Sequence, residues 1–139
     1  MIRSVAAVAA GFLALILTVM IGVAAATAAL IPGGLATMNT AVAPVSLPAS
    51  YLTANIAVSL IGAILGGWLT ARLSAPQQRS NVMILAGLVV LLSVVTAMQG
   101  VETGTQPMWY RWIVPVIGVV GVLIGGGLGA RRTPVEDLS

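Results

Sequence analysis

The side chains of this chain that could bind a ligand are uncharged polar groups inside otherwise apolar stretches. Five of them come to comparable depth, one to three turns from one end of the helices predicted below: Asn55, Ser59, Ser93, Thr96 and Gln99. Such a group could form a small pocket for a lipid headgroup or a quinone ring, or a short water-accessible path. The simpler interpretation is hydrogen bonding between helices, which would fix their register.

Few side chains can ionise. The chain has no Cys, His or Lys, which excludes disulfides, thiolate chemistry, haem ligation by histidine and the usual zinc sites. Glu102, Glu136 and Asp137 are the carboxylate residues, and all three lie outside the apolar runs. Ionisable groups in the bilayer core mark proton relays and ion pathways. We therefore expect no enzyme activity, no cofactor, no metal and no proton-coupling residue.

The composition is that of an integral membrane protein. The 139 residues are 59% hydrophobic and only 6% charged, and the mean hydropathy is +1.10. Soluble domains carry about 25% charged residues. The six cations are all arginines at predicted helix ends, so they indicate membrane orientation rather than nucleic-acid binding. Membrane lipids are the expected partners.

Four apolar runs are each long enough for a spanning helix, which needs roughly 20 residues. The chain is therefore predicted to be an all-α membrane protein, a single four-helix transmembrane domain over residues 1–139. A short cytoplasmic tail follows at 131–139. The predicted helices cover about 5–31, 51–73, 79–99 and 108–130.

The first run could also be a secretory signal peptide, because Ala24 to Ala28 supplies small-residue cleavage patterns. The run is longer than the 7 to 15 apolar residues of a usual signal, so we expect it to be retained as a helix. Pro32-Gly33-Gly34 should end it. Residues 32–50 are uncharged and moderately apolar, which predicts a surface loop or short interfacial helix, with a re-entrant dip as the alternative.

The later boundaries follow from turn residues and caps. Ser50 is a predicted N-cap for the second helix, and Tyr51 suits the interfacial belt, as do Trp109, Tyr110 and Trp112. Pro76 can occupy the first turn of the third helix. Gly100 to Gln106 is the predicted second outer loop.

Arginine placement predicts the orientation. Arg111 lies on one side, where it could pair with Glu102. The other five lie on the opposite side, and the positive-inside rule then places both termini in the cytoplasm. These five are Arg3, Arg72, Arg79, Arg131 and Arg132.

Small residues on two helices predict close helix packing. On the second helix Asn55, Ser59, Ala63 and Gly67 share a face at four-residue intervals, and Gly62 with Gly66 forms a GxxxG beside it. The fourth helix carries a comparable stripe. The predicted packing residues are Gly62, Gly66, Gly67, Gly118, Gly121, Gly125 and Gly129. One stripe should lie at the centre of the bundle, and the second leaves a surface for another subunit or a second copy.

The two halves of the chain are similar. Residues 48–72 match 107–131 at an offset of 59, with eight of 25 positions identical. Residues of the first and third helices align at an offset of 76, where Arg3-Ser4 matches Arg79-Ser80. This pattern predicts a 2+2 parallel internal repeat whose pseudo-two-fold axis lies along the membrane normal.

Three motifs carry a resemblance: GGWLTARL from Gly66, PMWYRW from Pro107 and GGGLGAR from Gly125. With them the chain resembles small four-helix bacterial inner-membrane proteins, a group to which no activity is assigned. The resemblance implies the bacterial cytoplasmic membrane as the location. Small multidrug transporters are similar in length and helix count but depend on a glutamate in the first helix, which this chain lacks. Fluoride channels depend on phenylalanine and asparagine linings that it also lacks.

Two functions remain as expectations. The first is a non-catalytic membrane protein, a structural or assembly subunit of a larger membrane complex or of a homo-oligomer. The alternative is a small oligomeric channel or facilitator without proton-coupling residues.

Overall fold

The computed structural model describes residues 2–34, 36, 47–74, 77–103 and 107–130. In these ranges the chain contains no strand and forms four helices: α1 (Ile2–Leu30), α2 (Ala49–Leu73), α3 (Gln78–Thr103) and α4 (Met108–Ala130). Each helix contains a stretch long and apolar enough to cross a membrane. The predicted all-helical fold with four such helices is confirmed, and these helices indicate a membrane protein.

α1 begins at Ile2, three residues before the predicted start, and two other helix ends also differ from the prediction. α2 begins at Ala49 and no side chain caps it. The Pro48 carbonyl accepts the first backbone hydrogen bonds, from the amides of Tyr51 and Leu52 at 3.0 and 3.2 Å, so Ser50 lies inside the first turn. α3 continues through Gly100 to Thr103, where a loop was predicted. One glycine costs a helix only about 1 kcal/mol, and no proline lies between residues 78 and 106.

The turn after α1 uses the predicted glycines. Gly33 and Gly34 have φ of 80° and 57°, the left-handed conformation in which glycine ends a helix without steric cost. The centre of the predicted interfacial segment, Pro76 and the tail at 131–139 lie outside the described residues.

The order of contacts along each helix pair gives the helix directions. α1 and α2 are antiparallel, as are α3 and α4, whereas α2 and α4 are parallel. The contacts are Gly11 with Gly66 and Gly22 with Val58 for the first pair, Val89 with Gly118 and Val82 with Gly126 for the second, and Ala63 with Gly121 and Ala71 with Gly129 for the third. α2 and α4 share the most extensive contact and form the centre, with α1 against α2 and α3 against α4.

The two ends of the bundle can be named from these contacts. The Ser4 hydroxyl donates a hydrogen bond of 2.9 Å to Oε1 of Gln77, and Gly129 lies against Ala71. The start of α1, the turn between α2 and α3, and the end of α4 therefore lie together, at what we call the termini end. The opposite end, the loop end, contains Thr27, Tyr51 and Tyr110.

α2 and α4 meet backbone to backbone. A Cβ atom on Gly67 would overlap the Val122 carbonyl group, and one on Gly125 would overlap the Ile64 carbonyl group. All but Ile64 of these residues are buried. Because a backbone cannot rotate away as a side chain can, this contact requires glycine at both positions.

The other predicted packing glycines contact three different helices. Gly62 and Gly66 lie against α1 near Leu15, Gly118 lies against α3, and Gly121 and Gly129 lie against α2. Two glycines of α1 that were not among the predicted packing residues make equally close contacts. These are Gly11, which lies against Gly66 and Thr70, and Gly22, which lies against Val58.

The glycine contacts do not follow the offset of 59. The offset pairs Gly66 with Gly125, yet Gly66 contacts α1 whereas Gly125 contacts α2. It likewise pairs Gly67, which contacts α4, with Gly126, which contacts α3. The face of α4 that meets α2 is therefore displaced by one residue, about 100° around the helix, from the position that an exact two-fold would require.

Two clusters of buried apolar residues fill the bundle. The larger one lies between the four helices below the loop end and includes Ala63, Ala71, Leu85, Val89 and Val122. The smaller one closes the loop end around two tyrosines, and its members are Ala26, Ile31, Tyr51, Leu52 and Tyr110.

Candidate functional site: a polar cavity near the loop end

All four helices line a cavity of about 240 Å³ near the loop end. α1 supplies Val19 and Val23, which form an apolar wall. The polar lining residues are Asn55, Ser59, Ser93, Thr96, Tyr110 and Arg111. Four of the five predicted polar residues therefore line one cavity, and the side chain of the fifth, Gln99, lies outside the described part of the chain.

Helix direction brings these residues together. Asn55 and Ser59 are one turn apart on α2, and Ser93 and Thr96 are nearly one turn apart on α3. Since α2 and α3 are antiparallel, a position early in α2 comes level with one late in α3. Both pairs therefore reach the same depth on different walls of the cavity.

Hydrogen bonds already use part of this polar surface. Nδ2 of Asn55 donates to the Tyr110 hydroxyl oxygen at 2.5 Å, which joins α2 to α4. The Thr96 hydroxyl donates to the Leu92 carbonyl of its own helix at 2.9 Å. For Asn55 this geometry is that of an interhelical bond fixing register. The hydroxyls of Ser59 and Ser93 make no such bond within the described residues, so they remain for water or a ligand.

The two tyrosines near the cavity are buried, although the sequence predicted that they belong to the interfacial belt with the tryptophans. Tyr51 is 6% exposed and Tyr110 3% exposed. Trp109 and Trp112, by contrast, are 54% and 71% exposed, as residues facing lipid headgroups would be. The sequence contained the signal, because Tyr51 precedes Asn55 by four residues and so shares the face that Asn55 and Ser59 present to the bundle.

Arg111 gives the cavity a positive wall. It lies in the first turn of α4, where the helix dipole also favours negative charge. Its proposed partner Glu102 has a side chain outside the described residues. A guanidinium group binds phosphate or carboxylate oxygens through paired hydrogen bonds. With the serine hydroxyls, this lining is suited to holding polar or anionic groups and ordered water.

Two of the residues predicted to set topology, Arg72 and Arg79, lie away from this cavity. Arg72 ends α2 at the termini end, with its guanidinium carbon 4.9 Å from the centre of the Trp68 ring, a cation–π geometry. Arg79 is exposed in the first turn of α3. The side chains of Arg3, Arg131 and Arg132 lie outside the described residues.

No protein-family model, curated protein or solved structure matches this chain.

Proposed function

We propose that this protein is a non-catalytic integral membrane protein that assembles with other membrane helices, as a subunit of a larger complex or as a homo-oligomer. The observation that carries the proposal is a groove of about 390 Å³ on the outer surface between α3 and α4, near the termini end. Gly127 lies in its wall, and a Cβ atom there would meet nothing within 4 Å.

This open glycine differs from the others. Among the helical glycines whose surroundings the structure describes, only Gly87 and Gly127 have open space at the Cβ position. Glycine costs a helix interior about 0.5–1 kcal/mol relative to alanine, and at the described helical glycines other than Gly87 and Gly127 close packing accounts for it. Met83 and Leu123 border the groove and are 59% and 44% exposed. A smooth glycine surface between flexible apolar side chains suits the approach of another transmembrane helix.

The mass of the particle extracted in mild detergent tests this proposal. We expect a multiple of the 14.0 kDa chain, or a fixed set of other chains that co-purify with it. Gly127→Leu should reduce the particle to the single chain by filling the groove. Val116→Leu, at a position of α4 that is 62% exposed, is the control and should leave the mass unchanged. A wild-type protein extracted as a lone chain would contradict the proposal.

The proposed orientation has both termini in the cytoplasm of a bacterial cell, with the protein in the cytoplasmic membrane. It is supported by the five-to-one distribution of arginines and by the common end at which α1 starts and α4 finishes. Because the chain has no native cysteine, single cysteines can report on it. In intact cells, a membrane-impermeant maleimide should label Asn39→Cys, whereas Ser139→Cys should react only after permeabilisation. The reverse pattern would invert the orientation.

The 2+2 duplication is also part of the proposal. The offset of 59 in sequence and the parallel direction of α2 and α4 support it. The one-residue displacement of the α4 contact face then represents divergence of the two halves after duplication.

The alternative, an oligomeric channel or facilitator, is supported by the polar cavity. That cavity does not continue through the single chain, because Leu85 and Val122, both 0% exposed, fill the space towards the termini end. A path would therefore lie between copies. Ion conduction by the purified protein alone in planar bilayers would favour this alternative over the subunit proposal.

A further inference from the structure

A second surface groove, of about 370 Å³, lies between α1 and α3 near the termini end. Val8 and Phe12 of α1 and Ile84 and Leu88 of α3 form its apolar walls. The two helices are parallel, so the groove follows both of them inward from the membrane surface. From Asn81 to Leu88 it covers about two turns, roughly 10 Å, which is a large part of one hydrocarbon leaflet.

The polar groups at the mouth of this groove are Ser4 and Asn81. The Ser4 hydroxyl already donates to Gln77. Asn81 is only 3% exposed, and its side-chain Nδ2 has no hydrogen-bond partner within the described residues. A buried amide donor without an acceptor costs free energy. An acceptor from outside the chain could satisfy this donor once the Asn81 side chain turns towards the groove that it lines.

We propose that this groove binds one phospholipid, with an acyl chain between α1 and α3 and an ester carbonyl accepting a hydrogen bond from Nδ2 of Asn81. Asn81 lies about 4.5 Å along α3 from its start, at the depth where the hydrocarbon core meets the interfacial region. Ester carbonyl groups of phospholipids lie at that depth, and they accept hydrogen bonds without donating any. The apolar part of the groove begins directly below.

A helix from another protein fits this groove less well. Its backbone carbonyls are already used within the helix, so it could satisfy Asn81 only with a polar side chain at one position. A lipid supplies both an acceptor for Nδ2 of Asn81 and an acyl chain for the apolar groove. Its ester carbonyl lies nearer the membrane surface than its acyl chain, as Asn81 does relative to the apolar walls. The inference is independent of the proposed function, because it requires only that α1 and α3 span a bilayer.

The test compares two phosphatidylglycerols that have identical headgroups and chain lengths, one ester-linked and one ether-linked. The ether lipid keeps every feature except the carbonyl acceptor. After delipidation and re-addition of each lipid, native mass spectrometry should find one retained lipid per chain. The apparent affinity for the ester form should exceed that for the ether form by about two- to tenfold, the effect of one net hydrogen bond.

Two variants separate the parts of the proposal. Asn81→Leu keeps the side-chain size but removes the donor, so it should bind both lipids equally while the protein stays folded. Ala9→Phe, which places a ring in the groove, should abolish retention of both. Thr53→Leu at the loop end, an exposed position whose hydroxyl bonds only to its own helix, is the control and should keep the wild-type preference. Equal affinity of the wild-type protein for the two lipids, or a preference that persists in Asn81→Leu, would refute the proposal.

Discussion

Gly67→Ala is expected to lower the free energy of unfolding by about 1–3 kcal/mol, the usual cost of overpacking a close contact. The added methyl group would overlap the Val122 carbonyl group. A side chain in that position could change rotamer, but a backbone carbonyl moves only with its helix. The substitution must therefore separate α2 from α4 along the central contact of the bundle. Unfolding in mixed micelles with increasing SDS, followed by circular dichroism, measures the loss.

The matched control for this prediction is the same substitution at an open position. Gly87→Ala on α3 meets no atom within 4 Å, so it should raise the free energy of unfolding by about 0.5–1 kcal/mol through helix propensity alone. Alanine at the two positions should thus change stability in opposite directions. If Gly67→Ala proved neutral, α2 and α4 could not be in backbone contact.

The sequence was sufficient to predict the helices because their signals are local. Apolar run length sets each span, and Pro32-Gly33-Gly34 marks the end of α1. The misplaced boundaries at Ser50 and Gly100 are positions where a residue with a local preference was overruled by the continuing backbone hydrogen bonds of the helix. Glycine and serine favour helix ends without enforcing them.

Contacts between helices were harder to predict, because a glycine stripe does not indicate which helix it will meet. Gly66 and Gly67 are adjacent in sequence, yet they contact α1 and α4 respectively. The one-residue displacement of the α4 contact face depends on which helix each glycine meets. An alignment of the two halves of the sequence does not show this. The importance of Gly11 was missed for the same reason, since it is a single glycine without a repeating stripe.

The polar cavity was partly predictable. Four-residue spacing on α2 and common depth on α3 were enough to group Asn55, Ser59, Ser93 and Thr96. Tyr110 was assigned to the interfacial belt because it lies between two tryptophans in sequence. Its burial depends on the rotation of α4 against α2, which is a tertiary property, and that rotation also places Arg111 at the cavity wall.

The second large loss of stability is expected on truncating a fully buried leucine of α3. Leu85 is 0% exposed and lies in the larger cluster with Ala63, Val89 and Val122. Leu85→Ala should lower the free energy of unfolding by about 2–5 kcal/mol, since the removed methyl groups leave a cavity that fixed helices cannot fill. The same SDS titration measures this loss.

Leu91→Ala is the control on the same helix, with the same substitution and the same change in helix propensity. Leu91 is 63% exposed, so lipid or detergent replaces the lost atoms, and stability should change by no more than about 0.5 kcal/mol. In a membrane, hydrophobicity alone does not distinguish these two leucines, because both are as apolar as the lipid chains. Only packing against the other helices distinguishes them. Similar losses of stability for the two variants would mean that α3 presents a different face to the bundle.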